Sequence, residues 1–147
     1  MARLLVLGGS SHRALDLARD LTAEGHAVRA VTRSEANRER IEAAGAECWI
    51  GDPDVVGTLR YALENVTLLL HFLGAADDEE LHGSRLHMLL ERTIDTTVRG
   101  VVYEAGRGRE LVERMTAYNE IPVRVLEHGA PDWDQSARKA VTDLLAR

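Results

Sequence analysis

The stretch Leu4-Leu5-Val6-Leu7-Gly8-Gly9-Ser10-Ser11-His12-Arg13, continued by the helical pattern Ala14 to Leu21, decides the fold. An apolar strand runs into a glycine turn and the turn into a helix that stops at Glu24-Gly25-His26. Such a turn lets the backbone approach a phosphate closely, and the N–H groups and positive dipole end of the next helix face the anion. A dinucleotide is therefore the first ligand to consider. Counted from Gly8 as G-x-x-G-x-x-G, the second and third glycine places hold Ser11 and Ala14. His12 or Arg13 can supply positive charge where those glycine contacts are lost, and the hydroxyls or amides of Ser10 and Ser11 can bond phosphate oxygens. The competing role of His12 is that of an exposed first-turn residue, and the serines can simply cap the helix. Valine at Gly8 is expected to abolish nucleotide binding and leave the fold intact.

The next strand, Ala27 to Thr32, alternates and leads to Arg33-Ser34. At the end of the second strand of a dinucleotide-binding unit an acidic residue would take the ribose 2′-hydroxyl, whereas an arginine accommodates a 2′-phosphate. Arg33 thus favours NADP(H) over NAD(H), against the alternative of a merely exposed residue after a strand.

Strand-like and helix-like segments alternate to the end of the chain. Glu35 to Ala44 reads as a helix stopped by Gly45, Ala46 to Ile50 as a strand, and Asp52-Pro53 as the start of a helix to about Glu64. Val66 to Leu73 is almost wholly apolar, as in a central parallel strand covered on both faces. Acidic Asp77 to Glu80 open a long helix, followed by a strand at Gly100 to Tyr103, a helix at Glu110 to Tyr118, a strand at Ile121 to Leu126 and a last helix from Asp132 or Asp134. Six strands with right-handed crossovers predict an α/β fold, a three-layer doubly wound parallel sheet in the order 3-2-1-4-5-6, over residues 1–147 as one domain.

The 147 residues are 45% hydrophobic and 29% charged, as expected of a soluble globular domain. No apolar run is long enough to span a membrane, and the first strand begins too early for a signal peptide, so a cytoplasmic protein is expected. A net charge of −6 and only 4% aromatic residues argue against a nucleic-acid partner. Cys48, the single cysteine, reads as a small buried strand residue. His82 and His87 lie five apart and do not share a helical face, and His87 with Glu91 makes only a two-ligand pair, so no metal site is expected.

Four segments together resemble the atypical and extended short-chain dehydrogenase/reductase superfamily, NAD(P)-binding proteins that include nucleoside-sugar epimerases and NmrA-like redox sensors. Leu7 to Ser11 is similar to its glycine-rich turn. Gly25 to Arg33 is similar to its "GH-x-V-x-x-x-x-R" strand, and Gly45-Ala46-Glu47 through Gly51-Asp52 to its "GA-x-x-x-x-GD" strand. Leu70-His71-Phe72-Leu73-Gly74 resembles the "hHLAa" end of its fourth strand. The resemblance implies that Asp52 lies against the adenine and that the backbone at Leu73 and Gly74 passes the cofactor's ribose. It covers residues 3 to 75.

Beyond residue 75 the chain departs from the family. The family's Tyr-x-x-x-Lys pair, in which lysine lowers the tyrosine pKa for proton transfer, has no counterpart: Asn65, Arg107 and Pro122 stand four residues after Tyr61, Tyr103 and Tyr118. Val101-Val102-Tyr103-Glu104-Ala105 replaces the usual serine-bearing strand end, and the chain stops where extended members continue into a substrate segment. Tyr103 and Glu104 remain catalytic candidates by their place at a strand's carboxyl end; otherwise Tyr103 packs under a helix and Glu104 opens a solvated loop. The leading expectation is an NAD(P)-binding or redox-sensing module without complete dehydrogenase machinery. The alternatives are a minimal oxidoreductase and a scaffold that no longer binds nucleotide. Apolar residues spread widely around the long helix, from Leu81 to Ile94, and this suggests a homodimer.

Overall fold

The computed structural model describes residues 2–9, 11–52, 55–59, 61–73, 88–90, 96–104, 109–118, 120–127 and 129–146. Six strands form one sheet: β1 (Arg3–Leu7), β2 (Ala27–Thr32), β3 (Glu47–Ile50), β4 (Leu68–His71), β5 (Gly100–Glu104) and β6 (Val123–Leu126). They lie in the order β3-β2-β1-β4-β5-β6, and every neighbouring pair is parallel. The expected doubly wound sheet is thus the observed one. Its α-helices with described bounds are α1 (His12–Ala23), α2 (Arg38–Ala43), α3 (Arg109–Tyr118) and α4 (Trp133–Leu145).

The continuous apolar runs of β1 and β4 follow from cover on both faces. Leu4, Val6, Leu70 and Val102 pack with α1 and α4 through Leu17, Ala137 and Val141. Leu5, Leu7, Leu69 and Tyr103 point the other way, toward Val112 of α3 and toward Leu59, Leu89 and Leu90. Successive strand residues face opposite sides, so a strand buried on both sides cannot show polar alternation. α4 returns to the α1 side after β6, and this return brings Trp133 beneath the start of α1.

Two expected helices are altered. The segment from Glu35 divides into a 3₁₀ turn, Glu35–Asn37, and the short α2. The helix expected from Asp52 to Glu64 does not form: Asp52 bridges to Val55, Val56–Leu59 is a single 3₁₀ turn, and residues 61–65 are turns that end at Asn65 with φ 62°. Side chains capture the carbonyls that such a helix would use. The Trp49 indole donates to Thr58 O at 3.0 Å and Arg29 Nη1 to Ala62 O at 2.6 Å, while the Thr58 hydroxyl donates to Val55 O at 2.7 Å and accepts from Asp52 N at 2.8 Å. Local side-chain hydrogen bonds of this kind compete with helical ones. The strands expected at Val66–Leu73 and Ile121–Leu126 are shorter at both ends and at the start, respectively. Cys48 is half-buried on β3, less enclosed than expected, and burial pushes its thiol pKa up against the opposing pull of Arg38.

Most of the long helix expected from Glu79 to Thr97, with His82, His87 and Glu91, lies outside the described residues, as do Ser10 and Gly74. Within it residues 88–90 are helical, with Met88 exposed and Leu89 and Leu90 buried. Among the described residues no helix is long and apolar enough to cross a membrane.

Candidate functional site

At the carboxyl ends of β1 and β2 the glycine turn is built by two different demands. Gly8 holds φ +77°, and a Cβ there would stand 2.4 Å from the carbonyl oxygen of Phe72. Gly9 lets the turn sit against β2: its N–H donates to Val31 O at 3.2 Å, and a Cβ would approach that of Ala30 to 2.7 Å. The expected Gly8→Val variant would carry a stability cost, since a valine would meet both a left-handed backbone and an occupied space. Ser11 caps α1 by accepting from Ala14 N at 3.2 Å, the cap role among its two readings. The first turn of α1 contains no acidic residue of its own to offset the positive end of its dipole.

From Gly8 a cleft of about 300 Å³ runs along the carboxyl edge, lined by Val31, Thr32, Arg33, Ser34, Asn37, Gly51 and Leu73. Three residues singled out in the sequence, Gly8, Arg33 and Leu73, meet here. Asp52 follows the lining residue Gly51, held by its amide on Thr58. Thr32, Ser34, Asn37 and Gly51 are not among the site residues expected from the sequence, although Thr32 and Ser34 flank Arg33 directly. Their polar groups are already organised. The Thr32 hydroxyl accepts from Asn37 Nδ2 at 2.9 Å and from Ser34 N at 3.3 Å, and Ser34 caps the 3₁₀ turn through Ala36 N. Beside them Arg38 clasps Glu35 through two hydrogen bonds of 2.7 and 2.8 Å, which hold the Glu35 carboxyl pKa below its ordinary range.

His12 is exposed, with Nε2 4.0 Å from Asp16. Arg13 turns inward instead: its Nη1 stands 3.7 Å from Glu104 Oε2, and its guanidinium lies over the Trp133 ring, 5.2 Å from the centroid. Glu104 is not solvated. It is buried, and its Oε2 accepts from Trp133 Nε1 at 3.0 Å. Tyr103 is fully buried on the opposite sheet face, with its ring 5.2 Å from that of His71, and does not line the cleft. A reading by position alone put Tyr103 and Glu104 together; alternation along β5 sends them to different faces.

No protein-family model matches the chain, and no curated protein matches it either. Solved structures do. UDP-glucose 4-epimerase from Thermotoga maritima, solved with UDP-glucose, superposes with a TM-score of 0.72 at 14% identity over 85% of this chain and 54% of its own. Triphenylmethane reductase from Citrobacter sp., complexed with NADP(H), gives 0.68 at 17% identity over 84% and 48%. UDP-glucose 4-epimerase from Bifidobacterium longum, in complex with NAD+ and UDP, gives 0.69 at 14% identity over 85% and 52%. The chain has the fold these reductases and epimerases share. The likeness is one of fold, and the chain spans about half the length of the structures it matches.

Proposed function

We propose that this chain is an NAD(P)-binding module that prefers NADP(H) and acts in binding or redox sensing. The observation that carries the reading is the cleft that joins the Gly8 turn to Thr32, Arg33 and Ser34. A pyrophosphate would lie against the turn and the α1 N-terminus, and the adenosine ribose would reach Arg33. An acidic residue that would repel a 2′-phosphate is missing from Thr32-Arg33-Ser34. The bound nicotinamide would supply hydride chemistry. Residues Gly8, Gly9, Ser10, Ser11, His12 and Arg13 would hold the diphosphate, and Asp52, Leu73 and Gly74 the adenine and ribose sides.

The neighbours described with NADP(H) and NAD+ support this class of ligand. The missing Tyr-x-x-x-Lys pair and the burial of Tyr103 and Glu104 favour a binding role over a complete dehydrogenase. We place the module as one domain in the cytoplasm and as a homodimer, which light scattering across a tenfold concentration range tests. Calorimetric titration of the purified chain with NADPH and NADH tests the main reading. Saturable binding of NADPH tighter than NADH is expected, and binding of neither overturns it. Steady NADPH consumption with a panel of aldehydes, ketones and quinones would instead establish the oxidoreductase alternative.

A further inference from the structure

Glu104 is a carboxylate with a side chain only 5% exposed, at the last position of β5. A charge taken out of water in this way is tolerated only with partners. Trp133 gives it a good hydrogen bond at 3.0 Å, but Arg13 stands off at 3.7 Å, well beyond the usual length of a charge-assisted hydrogen bond. The Arg13 side chain is 39% exposed and belongs to the first turn of α1. Its guanidinium therefore faces a buried anion on one side and stays partly open to solvent on the other. This boundary is tied to the glycine turn: Trp133 packs edge-on against Phe72 with ring centroids 5.0 Å apart, and the Phe72 carbonyl is the group nearest a Cβ at Gly8.

We propose that Arg13 is a cation shared between Glu104 and the diphosphate of the bound ligand, with Glu104 as the internal counter-anion that holds it in the unliganded chain. Binding draws the guanidinium from the carboxylate toward the diphosphate, so part of the binding energy is spent on weakening an existing pair. Glu104 is a positioning residue, acting on the ligand through Arg13, and it sets the affinity low enough for ready exchange. The inference rests on the dinucleotide reading of the cleft.

The experiment compares wild type, Glu104→Gln, Arg13→Met and the double variant by calorimetry, with inorganic pyrophosphate and NADPH as separate probes. Glutamine keeps the shape and still accepts from the Trp133 N–H. Glu104→Gln is expected to bind both probes more tightly, on the order of tenfold, and Arg13→Met more weakly. In the Arg13→Met background the Glu104→Gln change is expected to have no effect, because the competitor then has nothing to compete for. Unchanged or weaker binding by Glu104→Gln overturns the proposal, as does equal tightening without Arg13, which would reveal only long-range repulsion. Should Glu104→Gln not fold, Arg13→Met decides alone: wild-type pyrophosphate affinity in that variant refutes the shared cation, and weakened affinity upholds it. Pyrophosphate binding that follows this pattern without any NADPH binding would refute the dinucleotide reading and leave the shared cation standing. NADPH binding indifferent to Glu104 would do the reverse, and no binding of either probe by any variant would overturn both.

Discussion

Asn37 donates its side-chain amide to the Thr32 hydroxyl at 2.9 Å, closing the loop from Thr32 to Asn37 at the end of β2. Because the hydroxyl is engaged from Asn37 and from the Ser34 amide, the chain is held in a bend that leaves Arg33 exposed at the rim of the cleft. A charge-assisted bond from this arginine to a 2′-phosphate contributes roughly 1.5–3 kcal/mol, about ten- to a hundredfold in affinity. Arg33→Ala should weaken NADPH binding by that factor and NADH binding far less. Calorimetry of both ligands on both proteins checks it, and equal NADPH affinities would remove Arg33 from the site.

Gly8→Val should destabilise the chain as well as obstruct the turn. A β-branched residue at φ +77° with its Cβ 2.4 Å from a backbone oxygen has no relaxed rotamer to escape to. Strain of this kind costs about 1–3 kcal/mol and overpacking about 1–3 more. The melting temperature should fall by roughly 5–20 °C, read by circular dichroism. A variant that melts like wild type would mean that the turn can rearrange.

Arg29 is buried on β2, donating to Ala62 O at 2.6 Å and to Glu47 at 3.2 Å, with its guanidinium 5.3 Å from the centre of the Trp49 ring. Arg29→Met preserves bulk but leaves the Ala62 carbonyl without that donor, a loss of about 1–3 kcal/mol. Glu47 is more than half exposed and remains hydrated, so its freed charge adds little. Urea unfolding measures the change. Stability within error of wild type would show that the 61–65 turns hold without the arginine.

Cys48 should alkylate slowly at neutral pH. Burial disfavours the thiolate, the reactive form, and Arg38 offsets this only in part. The sign for stability follows: a thiol pKa raised in the folded state costs nothing below the unfolded pKa and destabilises as pH rises through and beyond it. Iodoacetamide modification at pH 7.5 should be slower than that of an unhindered cysteine peptide. A rate equal to the peptide's would contradict the raised pKa.

The sheet order was legible because β1, β4 and β5 announce themselves as apolar runs and β2 ends at a recognisable Thr32-Arg33. What could not be read were partners brought from a distance. The absent helix after Asp52 depends on Trp49 and Arg29 reaching carbonyls at Thr58 and Ala62, and a periodicity window cannot see donors on other strands. Glu104 reads as solvated because its partner Trp133 lies 29 residues later, and Arg13 reads as available to a ligand because Glu104, beside it in the fold, is distant in sequence. The Gly8, Arg33 and Leu73 cluster was visible in outline, since motif spacing encodes it. The polar lining from Thr32, Ser34 and Asn37 needed the bend itself.

The two tryptophans give the molecule a pair of optical reporters at separate points of its carboxyl edge. Trp49 is half-buried on β3 beside the loop that carries Asp52, whereas Trp133 is buried under Arg13 at the start of α4. Indole emission overlaps the absorption of a reduced nicotinamide, and its wavelength responds to nearby charge. Replacing one tryptophan at a time by phenylalanine therefore separates two signals: blue or red shifts of Trp49 follow events around the loop that carries Asp52, and those of Trp133 follow changes at the guanidinium over its face. One cuvette can then time which end of an incoming ligand lands first.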